Sequence, residues 1–217
     1  MTEKKTPTVE QLNDFRNGVK TASSDADYDK LNAFIGEYEL YTQVYEENGK
    51  KGLKDAAGQV LVPAEYDEVG YTFEDHCMPK AVSVVKDGKF AFVAQDGKGT
   101  PLSDFEYDDI QFTPEFCYII AKDGKEGLAL SNGTVVIAPE MDKVWTPFNG
   151  LASYQKDGKY GFSLVYEGLS TDPVYDDYDL GEDEYLKVSN KGTWGYIDGE
   201  GFFTRDEDER YFGAFFN

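Results

Sequence analysis

His76 is the chain's one histidine, so any Ser/His/Asp or Cys/His relay would have to run through it. It stands in Glu74-Asp75-His76-Cys77-Met78, beside Cys77. Adjacent residues on an extended chain point to opposite faces, so Cys77 is poorly placed to pass a proton to His76. No Gly-x-Ser-x-Gly and no phosphate-binding loop occurs. The many glycines recur at a structural period, as turn residues do. Asp25-Ala26-Asp27-Tyr28-Asp29 has the 1, 3, 5 acidic spacing of a calcium loop. Lys30 replaces its glycine and Gly36 replaces its bidentate glutamate, which argues against calcium. Asp172, Asp176, Asp177, Asp179, Glu182, Asp183 and Glu184 place seven carboxylates in thirteen residues with no lysine or arginine. A weak divalent-cation site and a solvated acidic loop both fit that run. Among 42 acidic residues nothing singles out the pair that glycoside hydrolysis needs. The expectation is a non-enzymatic chain with no catalytic residues, no cofactor and no metal site.

Composition points to a folded, strand-rich protein. At 40% hydrophobic and 15% aromatic, 217 residues can bury a core. Tyr and Phe, with 16 and 15 residues, carry much of the apolar weight, and strands favour such rings. The formal charge of −21 repels nucleic acid and anionic membranes and attracts basic partners. Ordinary surface acidity is the plain alternative. Cys77 and Cys117 are too few for a disulfide scaffold and read as reduced thiols. The opening residues lead into no apolar stretch of signal-peptide length, and no transmembrane run follows. A soluble, cytoplasmic protein is therefore expected.

Residues 1–37 read as a tail and a helical cap. Thr8 offers an N-cap with Gln11 at the capping-box position, and Leu12, Phe15 and Val19 share one face. A second helix is predicted from Ser24, with Tyr28, Leu31 and Ile35 on one face, Phe34 beside them, and Gly36 as its C-cap.

From Tyr38 onward the pattern becomes strands and turns, repeated five times. Gly52, Ala91, Gly127, Gly161 and Gly195 mark equivalent positions, spaced by 39, 36, 34 and 34 residues. A fixed period in this range signals a repeat architecture. Each unit opens with a strand: Tyr38–Glu46, Ala81–Lys86, Cys117–Lys122, Leu151–Lys156 and Tyr185–Ser189. Asn-Gly or Asp-Gly ends four of these, which suits a type I′ turn; the fifth has a longer turn, Asn190-Lys191-Gly192. A second strand carries the anchor, a second glycine turn follows (Gly58, Gly97, Gly133, Gly168, Gly201), and a third strand runs toward a proline in four units. The units close on an aromatic-acidic step: Tyr66-Asp67, Tyr107-Asp108 and Tyr175-Asp176, with Met141-Asp142 in the third. The repeats divide as 38–77, 78–114, 115–148, 149–182 and 183–217.

Lys191-Gly192-Thr193-Trp194-Gly195-Tyr196-Ile197-Asp198, with the recurring glycines, Val-Ile-Pro-like third strands and Tyr-Asp steps, resembles the WG-repeat family of bacterial proteins. The resemblance covers about residues 38–217. Tyr160, Phe90, Glu126 and Lys51 stand at the Trp position elsewhere, and Ala91 at one Gly position. It implies an all-β repeat array of short antiparallel three-stranded units and no single activity. An open, twisted, solenoid-like stack is the expected arrangement, with a closed five-bladed propeller as the alternative. The small anchors either let a neighbouring ring lie against the strand or relieve a bulge.

Repeat arrays present extended surfaces, and aromatic anchors in a negative field suit a basic protein partner. The expected function is a protein-binding module, in its sharper form an immunity- or antitoxin-like inhibitor of a basic protein. The alternatives are a nucleic-acid mimic occupying a DNA-binding protein and a carbohydrate-binding module. The candidate partner-binding residues are Tyr66, Asp67, Tyr107, Asp108, Asp109, Trp145, Tyr175, Asp176, Asp177 and Tyr178, with inter-repeat packing as the competing reading for the tyrosines. Trp194, inside the repeat motif, reads as structural. Phe212–Phe216 reads as a terminal strand that pairs with another copy or docks on the last repeat.

Overall fold

The computed structural model describes residues 4–70, 81–181 and 185–213. It divides into two compact units, Met1–Glu106 with Ser131–Gly133, and Tyr107–Leu130 with Thr134–Asn217.

The first unit opens with helices α1, Val9–Thr21, and α2, Asp25–Glu37. Thr8 and Gln11 form a reciprocal capping box: the Thr8 N–H donates to Gln11 Oε1 (2.9 Å) and the Gln11 N–H to Thr8 Oγ1 (3.2 Å). Ser24 caps α2, so the acidic Asp25–Asp29 run forms a helical first turn and makes no calcium loop. Gly36 lies inside the helix and Tyr38 is the C-cap. The packed face also differs from expectation. Tyr28 is exposed, whereas Phe34 stacks between Phe15 and Tyr38 with centroids 4.9 and 4.4 Å away. The i, i+4 spacing of Phe34 and Tyr38 aligns those rings. Leu12 and Phe15 pack with Ala56, and Arg16 Nη2 reaches Asp55 Oδ2 at 3.3 Å.

Strands β1 (Gln43–Glu47), β2 (Lys50–Lys54) and β3 (Val60–Tyr66) form the first antiparallel sheet. β4 (Glu68–Val69), β5 (Ala81–Lys86) and β6 (Lys89–Ala94) form the second. Leu53 and Val62 of the first sheet share one core with Val82, Val84, Ala91 and Val93 of the second.

The second unit holds three four-stranded sheets. The first is β7 (Asp109–Phe112), β8 (Cys117–Lys122), β9 (Lys125–Leu130) and β10 (Val135–Met141). The next is β11 (Lys143–Val144), β12 (Leu151–Lys156), β13 (Lys159–Leu164) and β14 (Leu169–Ser170). The last is β15 (Asp177–Leu180), β16 (Leu186–Asn190), β17 (Thr193–Ile197) and β18 (Phe203–Thr204). Neighbouring sheets again share cores: Leu128 and Ile137 with Ala152 and Tyr154, then Phe162 and Leu164 with Leu186 and Ile197. Burial between sheets is what a unit with one apolar face requires.

The architecture is thus an all-β repeat array with a helical N-terminus, and no described sheet closes into a barrel. Three of the sheets exceed three strands because β7, β11 and β15 pair with the first strand of the hairpin that follows each of them. β4 pairs with β5 in the same way, but its sheet keeps three strands because the third strand of the repeat is reduced to a single bridge, Val93 to Pro101.

All five hairpins turn on two residues. The first has φ of 52–53° and the second, always glycine, 74–77°. The fifth turn is not longer: Lys191-Gly192 takes the same conformation, and Asn190 pairs directly with Thr193. At the C-terminal end, Phe212 is buried in the last core, and its carbonyl accepts from the Leu186 N–H. Residues 212–213 therefore dock on the last sheet; the rest of the expected terminal strand lies outside the described residues.

Candidate functional site

The aromatic-acidic steps are built into the scaffold. Tyr66, Tyr107 and Tyr175 are buried in the core. Burial pushes the Tyr175 phenol up to about 12. In three of the four steps the aspartate joins two hairpins. Lys50 Nζ lies 2.5 Å from Asp67 Oδ1, while Asp67 Oδ2 accepts the Asp87 N–H at 2.9 Å. Lys125 and Asp142, and Lys159 and Asp176, repeat the ion pair at the same sequence separation of 17. Asp142 Oδ2 accepts the Asp157 N–H (2.7 Å), Asp176 Oδ2 the Gly192 N–H (3.2 Å), and Asp108 Oδ2 the Asp123 N–H (2.7 Å). The lysine hydrogen bond first, then the turn N–H, holds Asp67, Asp142 and Asp176 below the usual carboxylate range. Asp67, Asp142 and Asp176 are thus latches between the preceding hairpin and the next turn, and Asp108 caps the turn of its own unit.

The other residues singled out from sequence fall into two groups. Asp109 Oδ1 accepts from the Ile110 N–H and Oδ2 from Gln111 Nε2, and Asp177 Oδ1 accepts from the Tyr178 N–H. These are local caps. Trp145 and Tyr178 are brought together around one ring, with centroids 6.0 and 5.0 Å from Tyr160. Trp194, read as structural, is instead 51% exposed, and the buried residues of that motif are Gly195, Tyr196 and Ile197.

Among the described residues, those considered for chemistry are not brought together. His76 and Cys77 lie outside the described residues, as do Glu182, Asp183 and Glu184 of the acidic run. Cys117 is a buried thiol whose pKa is raised by that burial. Among the described residues no group of three or more His, Cys, Asp or Glu is placed to hold a metal ion, and no helix is long and apolar enough to cross a membrane. A cleft of about 580 Å³ between α1 and α2 is floored by Phe15, Leu31, Phe34 and Tyr38.

An exposed set of rings in the second unit escaped the sequence reading. The β7–β8 connection is Thr113-Pro114-Glu115-Phe116, and the β11–β12 connection contains Thr146-Pro147-Phe148-Asn149-Gly150. Phe116 has φ 55°, unusual for a bulky side chain, and its ring is exposed, 6.1 Å from that of Phe112. Thr113 holds this turn closed: its N–H donates to the Cys117 carbonyl at 2.8 Å. The Tyr166 hydroxyl donates to the Glu115 carbonyl at 3.3 Å, and the Tyr166 ring lies against Gly150. Tyr166 is 66% exposed and Phe148 50%. Beside them Glu167 accepts from the Tyr211 hydroxyl at 2.9 Å. Four exposed rings therefore stand on one unit, Phe112 at the end of β7 and Phe116, Phe148 and Tyr166 on loops that also carry Glu115 and Glu167. A Thr-Pro step stands in both connections, but the same step at Thr100-Pro101 leads to Leu102, so it did not mark these rings in the sequence.

Small antiparallel sheets, glycine-anchored hairpins and aspartate latches define a β-repeat protein. Its residues 52–98 and 131–160 match the family model described as WG containing repeat, so these two stretches are similar to repeats of that family. No curated protein matches it. Five chains of solved structures do, one of them described as "Crystal structure of the eukaryotic initiation factor". That likeness has 13% identity and a TM-score of 0.37 over 71% of this chain, and this chain spans 47% of that one. A likeness so loose carries no argument about function.

Proposed function

We propose that the chain is a non-enzymatic protein-binding repeat module that takes a basic protein on the exposed rings Phe112, Phe116, Phe148 and Tyr166. The observation that carries this reading is Phe116. A left-handed backbone position costs a bulky residue about 1–2 kcal/mol, yet the turn presents a phenylalanine ring there, to solvent. Aromatic anchors are the groups that dominate protein interfaces, and the formal charge of −21 favours a cationic partner and speeds its approach. An immunity-like inhibitor of a basic enzyme is the sharper form of this function, and such a protein works in the cytoplasm. The test is affinity capture at low and high salt, with wild type and a Phe116→Asn/Phe148→Ser double variant. One basic protein held by the wild type, partly resistant to salt, and lost by the variant supports the reading. Retention unchanged in the variant overturns this surface, and displacement by duplex DNA points to a nucleic-acid mimic.

A further inference from the structure

The first sheet lacks a strand that the other four possess. β4, β7, β11 and β15 each cover the outer edge of the strand that opens their hairpin. β1 occupies that opening position in the first sheet, and among the described residues no strand pairs with its outer edge. The four completed sheets show what such a strand must carry.

In each, an aspartate N–H donates at 2.8 Å to one carbonyl: Asp67 to Val85, Asp108 to Ala121, Asp142 to Gln155 and Asp176 to Ser189. The accepting residue is always the one after the residue opposite the small anchor, so its counterpart in β1 is Glu46, following Tyr45 opposite Gly52. The same aspartate caps the next turn, and in the first sheet no side chain among the described residues caps the N–H of Asn48. The second strand residue (Glu68, Asp109, Lys143 or Asp177) faces the counterpart of Glu46. The third (Val69, Ile110, Val144 or Tyr178) is apolar and faces the counterpart of Tyr45. Strand alternation turns the N–H and C=O of Val44 and Glu46 toward the open side.

We propose that the outer edge of β1 is a strand-addition site for an extended segment of a partner protein of the pattern Asp-(Lys or Arg)-(Val, Ile or Tyr). The aspartate caps the Asn48-Gly49 turn, the cation meets Glu46, and the apolar residue packs beside Tyr45. Main-chain bonds give such a complex its affinity and the alternate side chains its specificity. The charge of −21 disfavours a second copy of this chain as the occupant. This site is separate from the exposed rings of the second unit, and neither reading needs the other.

The probe is a peptide copying residues 139–146, Pro-Glu-Met-Asp-Lys-Val-Trp-Thr. Amide exchange in the full chain is followed by NMR. Saturating peptide is expected to slow the Val44 and Glu46 amides by more than about tenfold. The same peptide carrying Asp142→Ala or Val144→Asp should not. Glu46→Pro removes one outward N–H and leaves the bonds to β2, so it should abolish the effect in a folded protein. Should that variant not fold, Glu46→Lys is expected to reverse the preference toward a peptide with Lys143→Glu. No slowing by the parent peptide overturns the proposal. So does protection that rises with protein concentration alone, which would make a second copy the occupant.

Discussion

Gly161 lies directly across the β12–β13 ladder from Tyr154, so close to its ring that a Cβ would fall within the aromatic carbons. Tyr45 and Gly52 are opposed in the same way, whereas at Gly195 the ring is Phe203 and at Gly127 the crowding comes from the backbone around Ile137 and Pro139. The rings belong to the anchor's own sheet. Where the register shifts, between Lys51 and Lys54 and between Ala129 and Glu126, the same small residue also makes room for a bulge. The ring expected from a neighbouring repeat thus comes from the anchor's own sheet at Gly52, Gly161 and Gly195, while the expected relief of a bulge is present at Gly52 and Gly127.

Gly161→Val is expected to destabilise the fold by more than about 2 kcal/mol, because Tyr154 is buried and its hydroxyl is held by the Thr171 carbonyl. Urea unfolding of the variant measures this. An unchanged midpoint would mean that the ring can move aside.

The latch aspartates predict a response to acid. Asp67, Asp142 and Asp176 have folded pKa values below the ordinary 3.8, and Asp96, held first by the Thr100 hydroxyl and then by the Lys98 N–H, is lowered to about 2. A carboxyl with a depressed folded pKa contributes stability above its unfolded value and loses it as pH falls through the folded one. The melting temperature should therefore fall between pH 3.8 and about 2. Asp142→Asn, which removes one titrating latch, should melt lower at neutral pH and show a shallower fall. Equal slopes would remove Asp142 from the account.

Lys191 is the one turn-opening residue that is neither Asn nor Asp, yet it has φ 52°. Asn tolerates that region better, so Lys191→Asn is expected to stabilise the chain by about 0.5–1 kcal/mol. Thermal unfolding at matched pH checks it, and a loss of stability would mean that the lysine makes a compensating contact.

Phe116→Asn separates binding from folding. The backbone strain is relieved and little packing is lost, so stability should hold or rise by about 1 kcal/mol while partner retention falls. A destabilised variant would make the ring a structural element.

Hairpins, turns and anchors were legible in the sequence because they depend on contacts within some fifteen residues, where Asp-Gly and a small residue specify the backbone directly. Asn48-Gly49 and Asp157-Gly158 took the expected conformation for that reason. The step between repeats was legible as a recurrence but not as a role: Tyr175 is buried among Phe162 of one sheet and Leu186 and Val188 of the next, a packing between sheets that no local pattern reveals. β4 and β11 have two residues each, too short to show a period. Alternation alone could not place Trp194, because Tyr196 lies on the same face of the strand and is buried. Phe116 could not be placed either, because nothing in Thr-Pro-Glu-Phe signals a left-handed phenylalanine.

The borrowed outer strand gives the array a direction of growth. Each of the first four sheets is followed in the chain by the strand and the aspartate that its successor uses. An internal repeat duplicated together with its preceding step therefore brings its own seat, whereas a repeat added ahead of Gln43 must also furnish the covering strand for β1.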